Sequence, residues 1–288
     1  MTTTMIRFDK LIKRYDGVAA LKGISGQVRR GDIVALLGKN GAGKTTLMET
    51  LLGFTPADSG DITVLDYAPL HFDGDVKQRL GYVPQQDDLL ANLSVAAWLN
   101  LIAQFYPRWD LTLQNRLLRE WELPLDKRMA KLSVGQRQKV SILSGICHRP
   151  DLLVLDEPVA SLDPIARRQF LETLIAMADE HQQTILFSTH IVSDVERIAS
   201  RVWLMREGEL VVDNGLDALK ESVIRLHGPL DKLTTLRSGL EVVNARQRAE
   251  HQTLIVKNWS PELQNKADHL ALTVEPLSLE DIFVEMHA

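Results

Sequence analysis

A chain of 288 residues, 45% hydrophobic and 25% charged, is long enough to bury a sizeable core and has ordinary globular composition, which excludes a disordered or fibrous chain. With 33 Lys and Arg against 38 Asp and Glu, its net charge is −5 and no basic block interrupts it, so no nucleic-acid partner is expected. The single cysteine, Cys147, cannot form an internal disulfide, no secretory signal opens the sequence, and no run approaches the roughly 20 apolar residues of a membrane span, so a cytoplasmic protein is expected.

In chain order, residues 6–8 and 23–28 read as strands, and 32–37 as a buried strand running into a glycine-rich loop. That loop, Gly38-Lys39-Asn40-Gly41-Ala42-Gly43-Lys44-Thr45, fits the P-loop spacing and precedes an apolar helical pattern over 47–52. Gly38, Asn40, Gly41 and Gly43 let the backbone wrap a phosphate chain with its N–H groups pointing inward, and the helix N-terminus adds a favourable dipole. Lys44 is the expected cation for the β- and γ-phosphates, Thr45 a hydroxyl ligand for Mg²⁺, and Thr46 a contact for the α-phosphate. A plain glycine-rich turn is the bland alternative.

From residue 89 to 148 the spacing becomes helical, with Trp98, Leu99 and Ile102, then Leu113, Leu117, Leu118 and Trp121, recurring every three or four residues. An inserted helical subdomain at about 88–148 is expected, packed in part by Phe105, Tyr106 and Trp109, with a partner contact as the alternative role for these aromatics. Strand patterns return at 152–155 and 184–188, separated by a helix with Leu171, Leu174, Ile175 and Ala178 on one face, which implies a parallel crossover. The first of these strands ends in Asp156-Glu157, where parallel sheets place ligands. Asp156 is the expected Mg²⁺ holder and Glu157 the general base or water-orienting group. Beyond Gly215 a short helical pattern leads to strand-like stretches at 223–226, 253–256 and 270–274, read as a small α/β domain.

A P-loop with paired carboxylates defines only a P-loop NTPase. Leu132-Ser133-Val134-Gly135-Gln136 narrows the class, because it resembles the signature of ABC transporter ATP-binding subunits, usually Leu-Ser-Gly-Gly-Gln, at that family's distance from the acidic strand. Ser133 with Gln136 is also a helix capping box, and both readings can hold together. Val134 departs from the family pattern, where a glycine is usual.

Further stretches resemble the same family in its order: Tyr15 at the adenine-stacking position, Gln85 at the Q-loop glutamine with Gln86 as fallback, Asp163 in the D-loop-like Ser161-Leu162-Asp163-Pro164, and His190 at the switch histidine. The resemblance implies a P-loop α/β core over residues 1–216 and a small accessory α/β domain over 217–288. It implies ATP and Mg²⁺ as ligands, with Glu157, His190, Gln85 and Lys44 in catalytic roles. Thr45, Gln85 and Asp156 would hold the metal. Tyr15, Gly38, Asn40, Gly41, Gly43, Lys44, Thr45, Thr46, Ser133, Gly135, Gln136 and Asp163 would contact nucleotide, Ser133 and Gly135 across a homodimer or heterodimer.

The implied partners are transmembrane permease subunits, which place the protein at the cytoplasmic face of the membrane. The ending from Pro276 to Phe283, with Ser278 as helix cap, resembles bacterial export-type subunits. A soluble ABC ATPase, or a nucleotide-dependent regulatory module uncoupled from transport, is the alternative function.

Overall fold

The computed structural model describes residues 3–237 and 239–287, and the chain divides into two compact units, Met1–Asp213 and Asn214–Ala288. In the first unit, β1 (Thr4–Tyr15), β2 (Val18–Arg29) and β4 (Ser59–Val64) form an antiparallel sheet in the order β2-β1-β4. A second sheet runs β5-β6-β7-β3-β8-β9, from β5 (Leu80–Val83), β6 (Leu152–Leu155), β7 (Thr184–Thr189), β3 (Ile33–Leu37), β8 (Arg201–Arg206) and β9 (Glu209–Gly215). The pairs from β5 through β8 are parallel, and β3 and β6 are buried at every residue, the environment that their unbroken aliphatic sequences Ile-Val-Ala-Leu-Leu and Leu-Leu-Val-Leu require. Phe8 of β1 meets Trp203 of β8 edge-on with centroids 5.5 Å apart, within one buried cluster that joins the two sheets.

Helix α1 (Lys44–Leu51) follows β3, and α2 (Gly74–Gln78) precedes β5. Between β5 and β6 lie α3 (Val95–Ala103), α4 (Leu111–Glu120) and α5 (Val134–Ile146), each opened by a side-chain cap from Ser94, Asp110 or Ser133. Trp98 Nε1 donates to Ser144 Oγ at 2.8 Å, tying α3 to α5. Tyr106 stacks on His148 at 4.0 Å and Trp109 Nε1 donates to Gln114 at 2.8 Å, but Phe105 is 65% exposed. Phe105 therefore does not pack the helical insert as its sequence company led us to expect. Helices α6 (Pro164–His181) and α7 (Val192–Ile198) flank β7 in sequence and complete the first unit.

The second unit follows α8 (Leu216–Ser222) with β10 (Ile224–Pro229), α9 (Leu230–Arg237), β11 (Glu241–Arg248), β12 (His251–Lys257), α10 (Pro261–His269), β13 (Thr273–Pro276) and α11 (Leu279–Met286). Its four strands are antiparallel in the order β11-β12-β10-β13, a split β-α-β arrangement. Leu233 and Leu236 of α9 and Ala267 of α10 pack with Leu226, Leu254 and Val256 of the sheet. The strand expected at 270–274 starts later. Leu270 caps α10, Ala271 adopts φ 50°, and buried Leu272 joins the core before β13 begins.

Helix α5 crosses β5 at backbone distance. A Cβ on Gly81 would lie 2.4 Å from the Gly145 carbonyl oxygen, and one on Gly145 would lie 2.7 Å from Val83 Cγ2. Backbone cannot yield as a flexible side chain can, so Gly81→Ala is expected to destabilise the protein by about 1–3 kcal/mol. The check is its urea midpoint, with Gly74→Ala, whose Cβ would enter open space, as the control.

Candidate functional site

The loop from Gly38 to Gly43 leaves the C-terminal end of β3 and delivers Lys44 and Thr45 as the first residues of α1. Lys44 is buried, and its Nζ donates to the Gly38 carbonyl at 2.7 Å and stands 3.5 Å from Glu157 Oε1. Thr45 Oγ1 donates to Asp156 Oδ2 at 2.6 Å. Asp156, 1% exposed at the end of β6, also accepts from Ser188 Oγ at 2.5 Å. Ser188 in turn accepts from the Glu157 backbone N–H at 2.7 Å, and His190 Nδ1 donates to Glu157 Oε2 at 2.8 Å.

Asn40, Gly41, Gly43, Lys44, Thr45, Thr46, Gln85, Asp156 and Glu157 line one cleft of about 260 Å³, together with Ala20 of β2. Gly38 reaches this group through its carbonyl, and His190 through Glu157. Glu157 takes φ 46°, and its buried Oε1 accepts no hydrogen bond. A buried carboxylate oxygen left open beside a cation and a histidine is poised for a further polar partner. The Thr45 hydroxyl, the Asp156 carboxylate and the Gln85 side chain are the hard oxygen donors that suit Mg²⁺.

Tyr15 stands outside the cleft lining, 45% exposed at the end of β1, with Lys13 Nζ 5.1 Å from its ring centroid. Gln86 shares a neighbouring hollow of about 600 Å³ with Gln85, Glu49, Phe54, Tyr82 and Asp88. There burial pushes the Tyr82 hydroxyl far up, reinforced by the charges of Asp156, Glu49 and Asp88, so it remains neutral.

Ser133, Gly135 and Gln136 do not join the cleft lining of their own chain. The Ser133 hydroxyl accepts from the Gln136 N–H at 3.2 Å, and Gln136 Oε1 accepts from the Ser133 N–H at 3.1 Å, a complete capping box. Val134 is 67% exposed, so its extra side chain points into solvent without disturbing the cap. A Cβ on Gly135 would lie 2.8 Å from the Ser161 carbonyl oxygen, which presses this turn against the segment before α6. Asp163 caps α6 by accepting from Ile165 and Ala166 N–H, and lies 3.6 Å from Lys139. The Ala166 N–H leads the groups that hold the Asp163 carboxyl below the usual range, with Lys139 contributing.

Arg167 of α6 forks onto Asp194 of α7, with Nη2 to Oδ1 at 2.5 Å, yet burial outweighs this partner and raises the Asp194 carboxyl. The pair fixes the helix that begins two residues after His190. Ser188 is the member of this polar chain that sequence reasoning missed. A serine inside a strand is unremarkable until the parallel register places it beside Asp156. Ser188→Ala removes a donor to a buried carboxylate and an acceptor from a buried N–H, so a loss of about 1–3 kcal/mol is expected. Denaturant unfolding of Ser188→Ala against the parent, at unchanged m, provides the measurement.

An ABC transporter family model matches residues 21–160. The chain is 31% identical over 301 residues to the Nod factor export ATP-binding protein I of Burkholderia pseudomallei (strain 1710b), covering 99% of this chain and 98% of that one. It is 28% identical over 286 residues to the ABC transporter ATP-binding protein YtrB of Bacillus subtilis (strain 168), covering 97% of each. Among solved structures, the ATP-binding subunit of an ABC transporter matches with TM-score 0.69 at 29% identity, over 75% of this chain and 92% of that one. A dimeric ATP-binding cassette with ADP and Pi shares the fold at TM-score 0.66 and 21% identity, over 74% and 99%.

Proposed function

Since this chain belongs to the ABC transporter ATP-binding family, as its near full-length 31% identity to an export ATP-binding protein shows, we propose that it hydrolyses ATP to drive a membrane permease. The observation that carries the proposal is the continuous polar chain Thr45–Asp156–Ser188–Glu157–His190 beside the P-loop lysine.

Lys44 exchanges its bond to the Gly38 carbonyl for the β- and γ-phosphates of ATP. The N–H groups at the start of α1 and the Thr46 hydroxyl hold the remaining phosphate oxygens. Thr45, Asp156 and Gln85 would hold Mg²⁺, which when bound would neutralise charge on the phosphate oxygens. Glu157 orients the attacking water and accepts its proton, and His190 fixes the carboxylate through Oε2 while Oε1 stays open. Tyr15, displayed at the end of β1, offers its ring to the adenine.

Ser133 and Gly135 do not line this cleft, so the reading completes each cleft with the N-terminus of α5 from a second ATP-binding subunit, alike or different. ATP joins the two subunits, and loss of phosphate releases them. In this scheme residues 1–216 are the motor and 217–288 an accessory domain. Among the described residues no helix is long and apolar enough to cross a membrane. In this reading transport runs through separate permease subunits, with this chain on their cytoplasmic side. The export names of the relatives and the export-type ending support outward transport of a substrate chosen by the permease.

Glu157→Gln keeps the volume of the carboxylate and removes the proton acceptor. It is expected to lower turnover at least about a hundredfold and to leave an ATP-stabilised dimer visible by size-exclusion chromatography with light scattering. A variant that keeps full phosphate release and stays monomeric in ATP would reject the scheme.

A further inference from the structure

The ring of Tyr15 is held on one side. Lys13, two residues back along β1, keeps its Nζ 5.1 Å from the ring centroid, within cation–π range. Lysine is seldom buried, yet this side chain is only 10% exposed, and its Nζ donates to the Pro56 carbonyl at 2.8 Å and stands 3.9 Å from Asp58 Oδ1. Pro56 and Asp58 thus fix the ammonium over the ring.

Asp58 also governs the strand that displays the ring. The β1–β4 pairing ends at Ile12↔Ser59, and beyond it the Asp58 backbone N–H donates to the Ile12 carbonyl at 2.9 Å while Asp58 Oδ2 accepts from the Arg14 N–H. One residue carries the hold on β1 up to the neighbour of Tyr15. The segment before Asp58 leads back to α1, where the Glu49 carbonyl accepts from the Phe54 and Thr55 N–H groups at 2.9 and 3.4 Å. The helix that begins with Lys44 and Thr45 is therefore tied to the end of β1. Towards β2, Arg14 pairs with Ala19 and Lys13 with Leu21, the two residues that bracket Ala20 of the cleft lining. That register sets the ring-bearing end of β1 next to the wall of the cleft.

We propose that Lys13 is the positioning residue for the nucleobase: it occupies one face of the Tyr15 ring, so that the other face is offered, already oriented, to a single adenine. The inference deepens the proposed function and rests on its assignment of Tyr15 to the adenine. An ammonium on one face draws ring electron density towards itself, which suits the opposite face to an electron-rich purine. A ring already held also loses less freedom when the base arrives. Lys13 does not line the cleft, so its effect passes through Tyr15.

The test measures the affinity of the full chain for ADP by calorimetry, with Mg²⁺ present. Lys13→Met removes the charge and keeps most of the stem, and Lys13→Arg keeps a cation. Lys13→Gln removes the charge but keeps a donor for the Pro56 carbonyl, which separates loss of the cation from loss of folding. The two uncharged variants are expected to bind ADP about fivefold more weakly, and Lys13→Arg to bind near the parent. In a Tyr15→Ala background, itself weakened, Lys13→Gln is expected to cause no further loss, because no ring remains to be positioned. A general packing role would give the same loss with or without the ring. Parent-like affinity in both uncharged variants, or an undiminished loss in the Tyr15→Ala background, overturns the proposal. If Tyr15→Ala binds ADP as the parent does, the adenine assignment fails and the role of Lys13 falls with it. A parent chain that binds no ADP rejects the proposed function itself.

Discussion

Asp156 is a buried carboxylate, and its demand for partners organises the first unit. An ionised group removed from water is tolerated only when its oxygens are satisfied. The two hydroxyls that satisfy it come from separate elements, Thr45 at the start of α1 and Ser188 near the end of β7. The parallel registers Leu155↔Phe187 and Leu37↔Thr189 bring the ends of β6, β7 and β3 level. A shift of one residue in the β6–β7 pairing would carry Ser188 to the opposite face relative to Asp156 and leave that carboxylate half satisfied. The aliphatic strands thus set the register, and the register builds the site.

The same constraint explains why sequence legibility was uneven. The P-loop and the Asp156-Glu157 pair are contiguous, and their chemistry follows from local spacing, so they could be read directly. Ser188 is distant in sequence and gains its role only through strand pairing. Tyr15 was legible only by resemblance, and the structure places it at the exposed end of β1, outside the cleft lining. In the second unit, β11 carries Asn244, Arg246, Gln247 and Arg248 on an edge strand, so no apolar alternation marks it. The helix end before β13 was missed because Leu270 and Leu272 look like strand residues, yet both pack against the helix-covered core. Phe105 shows the converse error, since an aromatic among core aromatics need not itself be buried.

Ser133 and Gln136 show how one arrangement can serve stability and chemistry together. Their reciprocal bonds use Ser133 Oγ and Gln136 Oε1 as acceptors, and Ser133 and Val134 at the start of α5 stay exposed. The cap fixes the turn while the dipole of α5 remains available to an anion outside it. Val134 projects outward from that fixed turn, so its departure from the family pattern alters the exposed surface and not the folding of the helix.

Gly135 has a requirement of its own within the chain. The Ser161 carbonyl occupies the space where its side chain would be, so any larger residue must displace the segment linking Glu157 to α6. That segment also receives Gln138 at Pro158 and Lys139 at Asp163. A substitution at Gly135 therefore perturbs the exposed start of α5 and the backbone beyond the same chain's Glu157 at once. Loss of activity in such a variant has two physical origins, and only a change that leaves the Ser161 contact intact, such as one at Ser133, isolates the part that the proposed pairing gives the turn.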